Sequence, residues 1–130
     1  MTDDKLLTAF ETCALPNTAF RHLDHVRVAW LYVRRHGPAA AESRMLDGLQ
    51  RFAAAHGVPQ LYNDTLTRFW VRLVAHVVEA FPAAAQFDET VACFPRLQDT
   101  ALPYRHYRQV TLGSEDARRR YVEPDLLPMP

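Results

Sequence analysis

Asn63-Asp64-Thr65-Leu66-Thr67-Arg68-Phe69-Trp70-Val71-Arg72-Leu73-Val74-Ala75-His76-Val77-Val78-Glu79-Ala80-Phe81-Pro82 is the stretch that decides the fold. Leu66, Phe69, Trp70, Leu73, Val74, Val77 and Val78 recur every three or four residues. That is the period of an amphipathic helix, not of a strand. Asn63 and Asp64 are short polar residues of the kind that cap a helix start. Phe81-Pro82 ends the run, because proline lacks an N–H and its ring clashes with the preceding turn.

The same period extends towards the N-terminus. Pro38 opens a helix at a favoured first-turn position, with an apolar stripe of Met45/Leu46, Leu49 and Phe52/Ala53. A helix from about His22 to His36 precedes it. A short amphipathic stretch from Asp3 to Ala14, ended by Pro16, comes first. His36-Gly37-Pro38 and His56-Gly57-Val58-Pro59 read as two helix C-caps, with glycine in the left-handed position and proline preventing continuation. A histidine in a last turn also faces the negative end of the helix dipole, which gives His36 and His56 a structural role.

Beyond Pro82 the pattern breaks up. Asp88 to Cys93, Gln98 to Leu102 and a Ser114-capped turn through Arg118 read as short helices. Pro124, Pro128 and Pro130 forbid a helix at the end and favour an extended tail. Its Leu126, Leu127 and Met129 are expected to lie against the domain or a second subunit. The expected fold is all-α. It is a single domain over 1–130, an antiparallel bundle of three to four long helices in 1–82, with short helices and an extended Pro-rich tail in 83–130.

Composition narrows the functional classes. The 130 residues suit one domain, and 48% are hydrophobic, enough for a core. Fifteen basic residues balance fifteen acidic ones, so no strong field favours nucleic acid or an anionic membrane. Arg118-Arg119-Arg120 is too short to change this and reads as a solvated face. Fourteen of the fifteen basic residues are arginine and alanine runs are frequent, as in a GC-rich bacterial genome. No basic, apolar leader opens the sequence and no apolar run is long enough to span a bilayer, so a cytoplasmic protein is expected. Cys13 and Cys93 are isolated and read as small, half-buried thiols. No phosphate loop, Gly-x-Gly-x-x-Gly or Gly-x-Ser-x-Gly is present, so no nucleotide cofactor is expected.

Chemistry is concentrated in Phe20-Arg21-His22-Leu23-Asp24-His25-Val26-Arg27-Val28-Ala29-Trp30. His22 and His25 stand one turn apart on one helix face, which continues through Ala29 and Tyr32. Three roles suit the pair. They are two ligands of a divalent transition metal, an acid–base or substrate-binding centre, or structural groups that cap the helix. A metal site needs a third ligand, with Asn63, Asp64, His76 and His106 as candidates. His76 lies about 20 Å along its helix from the Asn63 end and is a poor partner. An antiparallel layout returns the chain so that Tyr62, Asn63 and Asp64 approach His22 and His25.

Around these, Thr67 and Trp70 share a helix face with Asn63. Trp30 and Trp70 are candidate walls of a small-molecule pocket. Arg27 either pairs locally with Asp24 or binds an anionic group at the pocket mouth. Tyr104-Arg105-His106-Tyr107 is dense in donors but has no frame to orient it. The site set is therefore His22, His25, Tyr62 and Asn63 at the centre, with Arg27, Trp30, Asp64, Thr67 and Trp70 around a ligand. A small-molecule-binding protein is the leading reading, extending to an enzyme of specialised metabolism. The competing reading is a non-catalytic interaction module with structural histidines and a docking tail, and a homodimer is compatible with either.

Three motifs in order carry a resemblance. They are Phe20-x-His22-x-x-His25-x-Arg27-x-Ala29-Trp30, then Tyr62-Asn63-Asp64-Thr65-Leu66-Thr67-x-Phe69-Trp70, and last Ser114-x-x-Ala117-Arg118 with Val122-Glu123-Pro124-Asp125-Leu126-x-Pro128-x-Pro130. Over nearly its whole length the chain resembles an uncharacterised family of small bacterial helical proteins. Members of that family carry Lys-Tyr-His where this chain has Leu61-Tyr62-Asn63. The resemblance implies a third histidine beside the pair in those relatives. Asn63 is a poor metal ligand, so the departure weakens a metal-dependent role here and leaves a hydrogen-bonding pocket or a lost activity.

Overall fold

The computed structural model describes residues 1–129. Among them are seven α-helices and four short 3-10 turns, and no strand. The helices are α1 (Asp3–Glu11), α2 (His22–His36), α3 (Pro38–Ala55), α4 (Asp64–Ala80), α5 (Phe87–Cys93), α6 (Gln109–Leu112) and α7 (Glu115–Arg119). The chain is all-helical. No described helix is long and apolar enough to cross a membrane.

Local chemistry explains the boundaries. Thr2 caps α1 by accepting from the Lys5 N–H. α1 stops at Glu11, three residues before the expected Ala14, because Cys13 turns left-handed at φ 59°. There Ala14 N–H bonds back to Ala9 C=O and Cys13 N–H to Phe10 C=O, a Schellman closure without glycine. Gly57, at φ 73°, closes α3 in the same way, with Val58 N–H on Ala53 C=O. Gly37, at φ 85°, is the only residue between α2 and α3, and Pro38 starts α3 directly. Asn63 caps α4, its Oδ1 accepting from Leu66 N–H at 2.9 Å.

α2, α3 and α4 pack pairwise against one another, and α1 lies across α2 and α3. The core includes Phe10, Val26, Val28, Met45, Phe52, Phe69, Val74 and Val77. Gly48 lets α1 approach α3 closely, since a Cβ there would fall 2.6 Å from Phe10 Cε2. Phe10 in turn packs on Phe20 and Phe52, with ring centroids 5.2 and 5.9 Å away. Glu42 of α3 bridges Arg68 and Arg72 of α4.

Past Pro82 several expectations are corrected. The segment expected as a helix from Gln98 to Leu102 is instead a non-helical link between two 3-10 turns, Pro95–Gln98 and Leu102–Arg105, each with proline in its first turn. Residues 120–129 contain no helix. Their backbone is tied to the chain itself: Thr65 Oγ1 donates to Arg120 C=O and accepts from Val122 N–H, and Leu126 N–H reaches His106 C=O. The buried Tyr107 donates its hydroxyl to Val122 C=O at 2.6 Å. Asp125 accepts from Arg108 and Thr111, and these hydrogen bonds, the Thr111 one foremost, lower its pKa to about 2. Met129 packs on the core as expected, whereas Leu126 and Leu127 are exposed. Pro130, the last of the three tail prolines, lies outside the described residues. Cys93 is exposed rather than half-buried, and both cysteines are free. Arg118 reaches Gln60 C=O instead of standing on a solvated face, while Arg119 and Arg120 pair with Glu115 and Asp116.

Candidate functional site

The α2 start is fixed by Asp24, whose carboxylate accepts from the Arg21 N–H at 2.9 Å and so sits one turn back from its own position. This sets His22 as the first residue of α2 and points His22 and His25 to one side. α4 starts opposite, so Asn63, Leu66, Thr67, Trp70 and Val71 face them. Met45, Leu49, Phe52 and Ala53 of α3 supply the third side, and Phe20 closes the end nearest α1. Between them lies a cavity of about 420 Å³. That falls within the range of small-molecule sites, and its wall is mostly apolar with a few polar groups, as such sites require. Asn17, Thr100 and Tyr104, all exposed, stand at its mouth.

The two histidines are held differently. His22 Nε2 lies 2.8 Å from Leu97 C=O, and since a carbonyl only accepts, this nitrogen donates. The ring also meets Trp70 edge-on, with centroids 4.5 Å apart. His25 stacks on Phe20, with ring centroids 3.9 Å apart and planes 17° from parallel. Burial pushes the His25 pKa down to about 4. A hydrogen bond to the Phe20 backbone opposes this, the nearby His22 adds to it, and Asp24 opposes it weakly. His25 is therefore a neutral imidazole at pH 7. In the neutral His25 ring one nitrogen donates and the other accepts.

Several other polar groups of the wall are already engaged. Asn63 Nδ2 donates to Leu112 C=O at 2.8 Å while its Oδ1 caps α4. Thr67 Oγ1 donates to Asn63 C=O. Tyr62 donates its hydroxyl to Asp64 Oδ1 at 3.0 Å, and burial pushes its pKa up to about 12.

His22, His25, Tyr62, Asn63, Thr67 and Trp70 thus meet in one cavity, while three residues expected around the ligand stand elsewhere. Arg27 is tied to Asp3 of α1 and to Met1 C=O, not to Asp24, because Asp24 is occupied by the helix start. Trp30 points to the other side of α2, is buried, and donates Nε1–H to Thr90 Oγ1 at 2.9 Å. Asp64 is buried beside the cavity, where it accepts from Tyr62 and Arg68. Met45, Leu49 and Phe52 were legible as a helix stripe but carried no sign of a cavity. Pro103 and Tyr104 come from a segment without a usable period.

The donor set does not fit a metal. Among the described residues no three His, Cys, Asp or Glu side chains converge, and zinc takes at least three protein ligands. His106, one candidate third ligand, has its Nδ1 on the Leu127 and Pro128 carbonyls. His76 is exposed on α4 and outside the cavity wall. Comparison with protein-family models, with curated proteins and with solved structures finds no match.

Proposed function

We propose that this protein binds a small, mainly apolar molecule in the cavity between the starts of α2 and α4, with His22 and His25 as its polar contacts. The observation that carries this reading is the cavity itself: about 420 Å³, walled by aromatic and aliphatic side chains, with two histidines in its lining. The depressed His25 pKa favours binding over acid–base catalysis. A general base works best with a pKa near the working pH, and about 4 is too low for that at pH 7. The resemblance to a bacterial family marked by the paired histidines supports a shared ligand site. The three long helices read as an antiparallel bundle that supplies rigid walls, and the short helices and Pro-rich tail as its cover.

The test is a titration of ¹⁵N-labelled protein with neutral bicyclic aromatic compounds, repeated on Leu49→Trp, which fills the cavity from α3. Saturable shifts at His25, Leu49 and Trp70 that vanish in the folded variant are expected. No saturable binding at millimolar concentration, or binding indifferent to Leu49→Trp, refutes the reading.

A further inference from the structure

The cavity has a direction as well as a volume. Its wall takes matching runs of three helices, within 22–29 of α2, 45–53 of α3 and 63–71 at the start of α4. At about 1.5 Å of rise per residue each run is about 10–12 Å long, so the space is a slot of that length. One end is closed by Ala29, Met45 and Val71, all buried. At the other end stand three 3-10 turns: Asn17–Ala19 leads into α2, Pro59–Leu61 joins α3 to α4, and Leu102–Arg105 lies against them. The apolar lining continues outward through this end. Leu49, Val58 and Leu66 are half-buried, and Leu61 and Tyr104 are 67% and 49% exposed. Exposed apolar side chains scattered singly are ordinary on a protein surface. These two come from separate turns and line one opening with the cavity behind it. Two side chains, on a rim broken by Asn17 and Thr100, fall far short of the about 20–30 residues a side that a protein interface takes. They suit the outgoing part of a molecule already held inside.

Resting on the binding reading above, we propose that the ligand is an elongated molecule, longer than the slot, with a ring system inside and an apolar chain that leaves over Leu61 and Tyr104. The walls suit the ring part: Phe20, Phe52 and Trp70 offer ring faces and edges, and Met45 and Leu49 offer adaptable aliphatic surface. The chain covers the two exposed side chains of the rim and carries its far end into water.

A matched pair of probes separates this inference from the binding reading. They are 2-naphthyl ethers with hydroxyl-ended straight chains of two and six carbons, titrated by naphthalene fluorescence and by ¹⁵N shifts of the protein. A fully buried methylene is worth about four-fold in affinity and one covered on a single face about two-fold, so the four extra methylenes should tighten binding by roughly ten- to twenty-fold. In the Leu61→Ser/Tyr104→Ser double variant the short ether should bind as before, and the advantage of the long one should shrink to about three-fold or less. In the unmodified protein the long ether should shift the Leu61 and Tyr104 amides and the short one should not, a readout that does not depend on the variant folding. Equal binding of the two ethers in the cavity, an advantage that survives both substitutions, or no shift at Leu61 and Tyr104 overturns the elongated ligand while leaving the binding reading intact. If neither ether binds in the cavity, both fall.

Discussion

Acid should weaken this protein through His25, and the size of the effect follows from its surroundings. Its folded pKa is lowered from 6.5 to about 4, chiefly by burial. Above pH 6.5 the ring is neutral in both the folded and unfolded chain, so it contributes no pH dependence. Between 6.5 and about 4 the unfolded chain takes up a proton that the folded protein refuses, and stability falls as the pH falls. At about 1.4 kcal/mol per pH unit, this amounts to about 2 kcal/mol by pH 5 and about 3 kcal/mol below pH 4. Carboxylates also titrate in this range, so the comparison must remove their share. His25→Phe keeps a ring against Phe20 and deletes the titrating group. Urea unfolding of both proteins at pH 8 and pH 5, at constant ionic strength, provides the measurement. The unmodified protein should lose about 2 kcal/mol more than the variant over that interval. Equal losses, or an NMR titration placing the His25 midpoint near 6.5, would refute the reasoning.

Other substitutions separate the walls of the site from its scaffold. Asn63→Ala should lower stability by about 1–2 kcal/mol through loss of the α4 cap, with further loss from the Leu112 contact, as read by thermal unfolding. Probe affinity should change less than three-fold, because Asn63 uses its side chain on backbone groups. Trp30→Phe leaves the Thr90 hydroxyl without its indole partner and should cost about 1–3 kcal/mol in chemical denaturation, with cavity binding unchanged. Gly48→Val drives a side chain into Phe10, which backs Phe20 and Phe52, and should cost about 1–3 kcal/mol and weaken binding in the same titration.

The parts of the fold that were legible were those governed by local rules. Seven apolar residues at helical spacing marked α4, and Gly37 and Gly57 marked the helix ends because only a left-handed residue closes them cheaply. Cys13 makes the same turn without glycine, so nothing in its identity revealed that α1 stops early. The meeting of His22 and His25 with Tyr62, Asn63, Thr67 and Trp70 was accessible from helix lengths and return direction. Arg27, Trp30 and Asp64, expected beside the histidines, lie outside the cavity wall. Each has another partner: Asp3 and Thr90 come from segments whose position depends on tertiary packing, and Arg68 stands one turn along the same helix as Asp64. The backbone partners of His22 and Asn63 were likewise beyond a sequence pattern, since Leu97 and Leu112 lie far along the chain from the side chains they satisfy.

The most direct test of the cavity as a binding site is a set of intermolecular nuclear Overhauser contacts between isotope-labelled protein and 2-naphthol. Contacts to the Trp70 indole, the Phe52 ring and the Met45 and Leu49 methyl groups are expected. Contacts confined to the exposed Val110, Leu126 and Leu127 surface, with none inside the cavity, would contradict it.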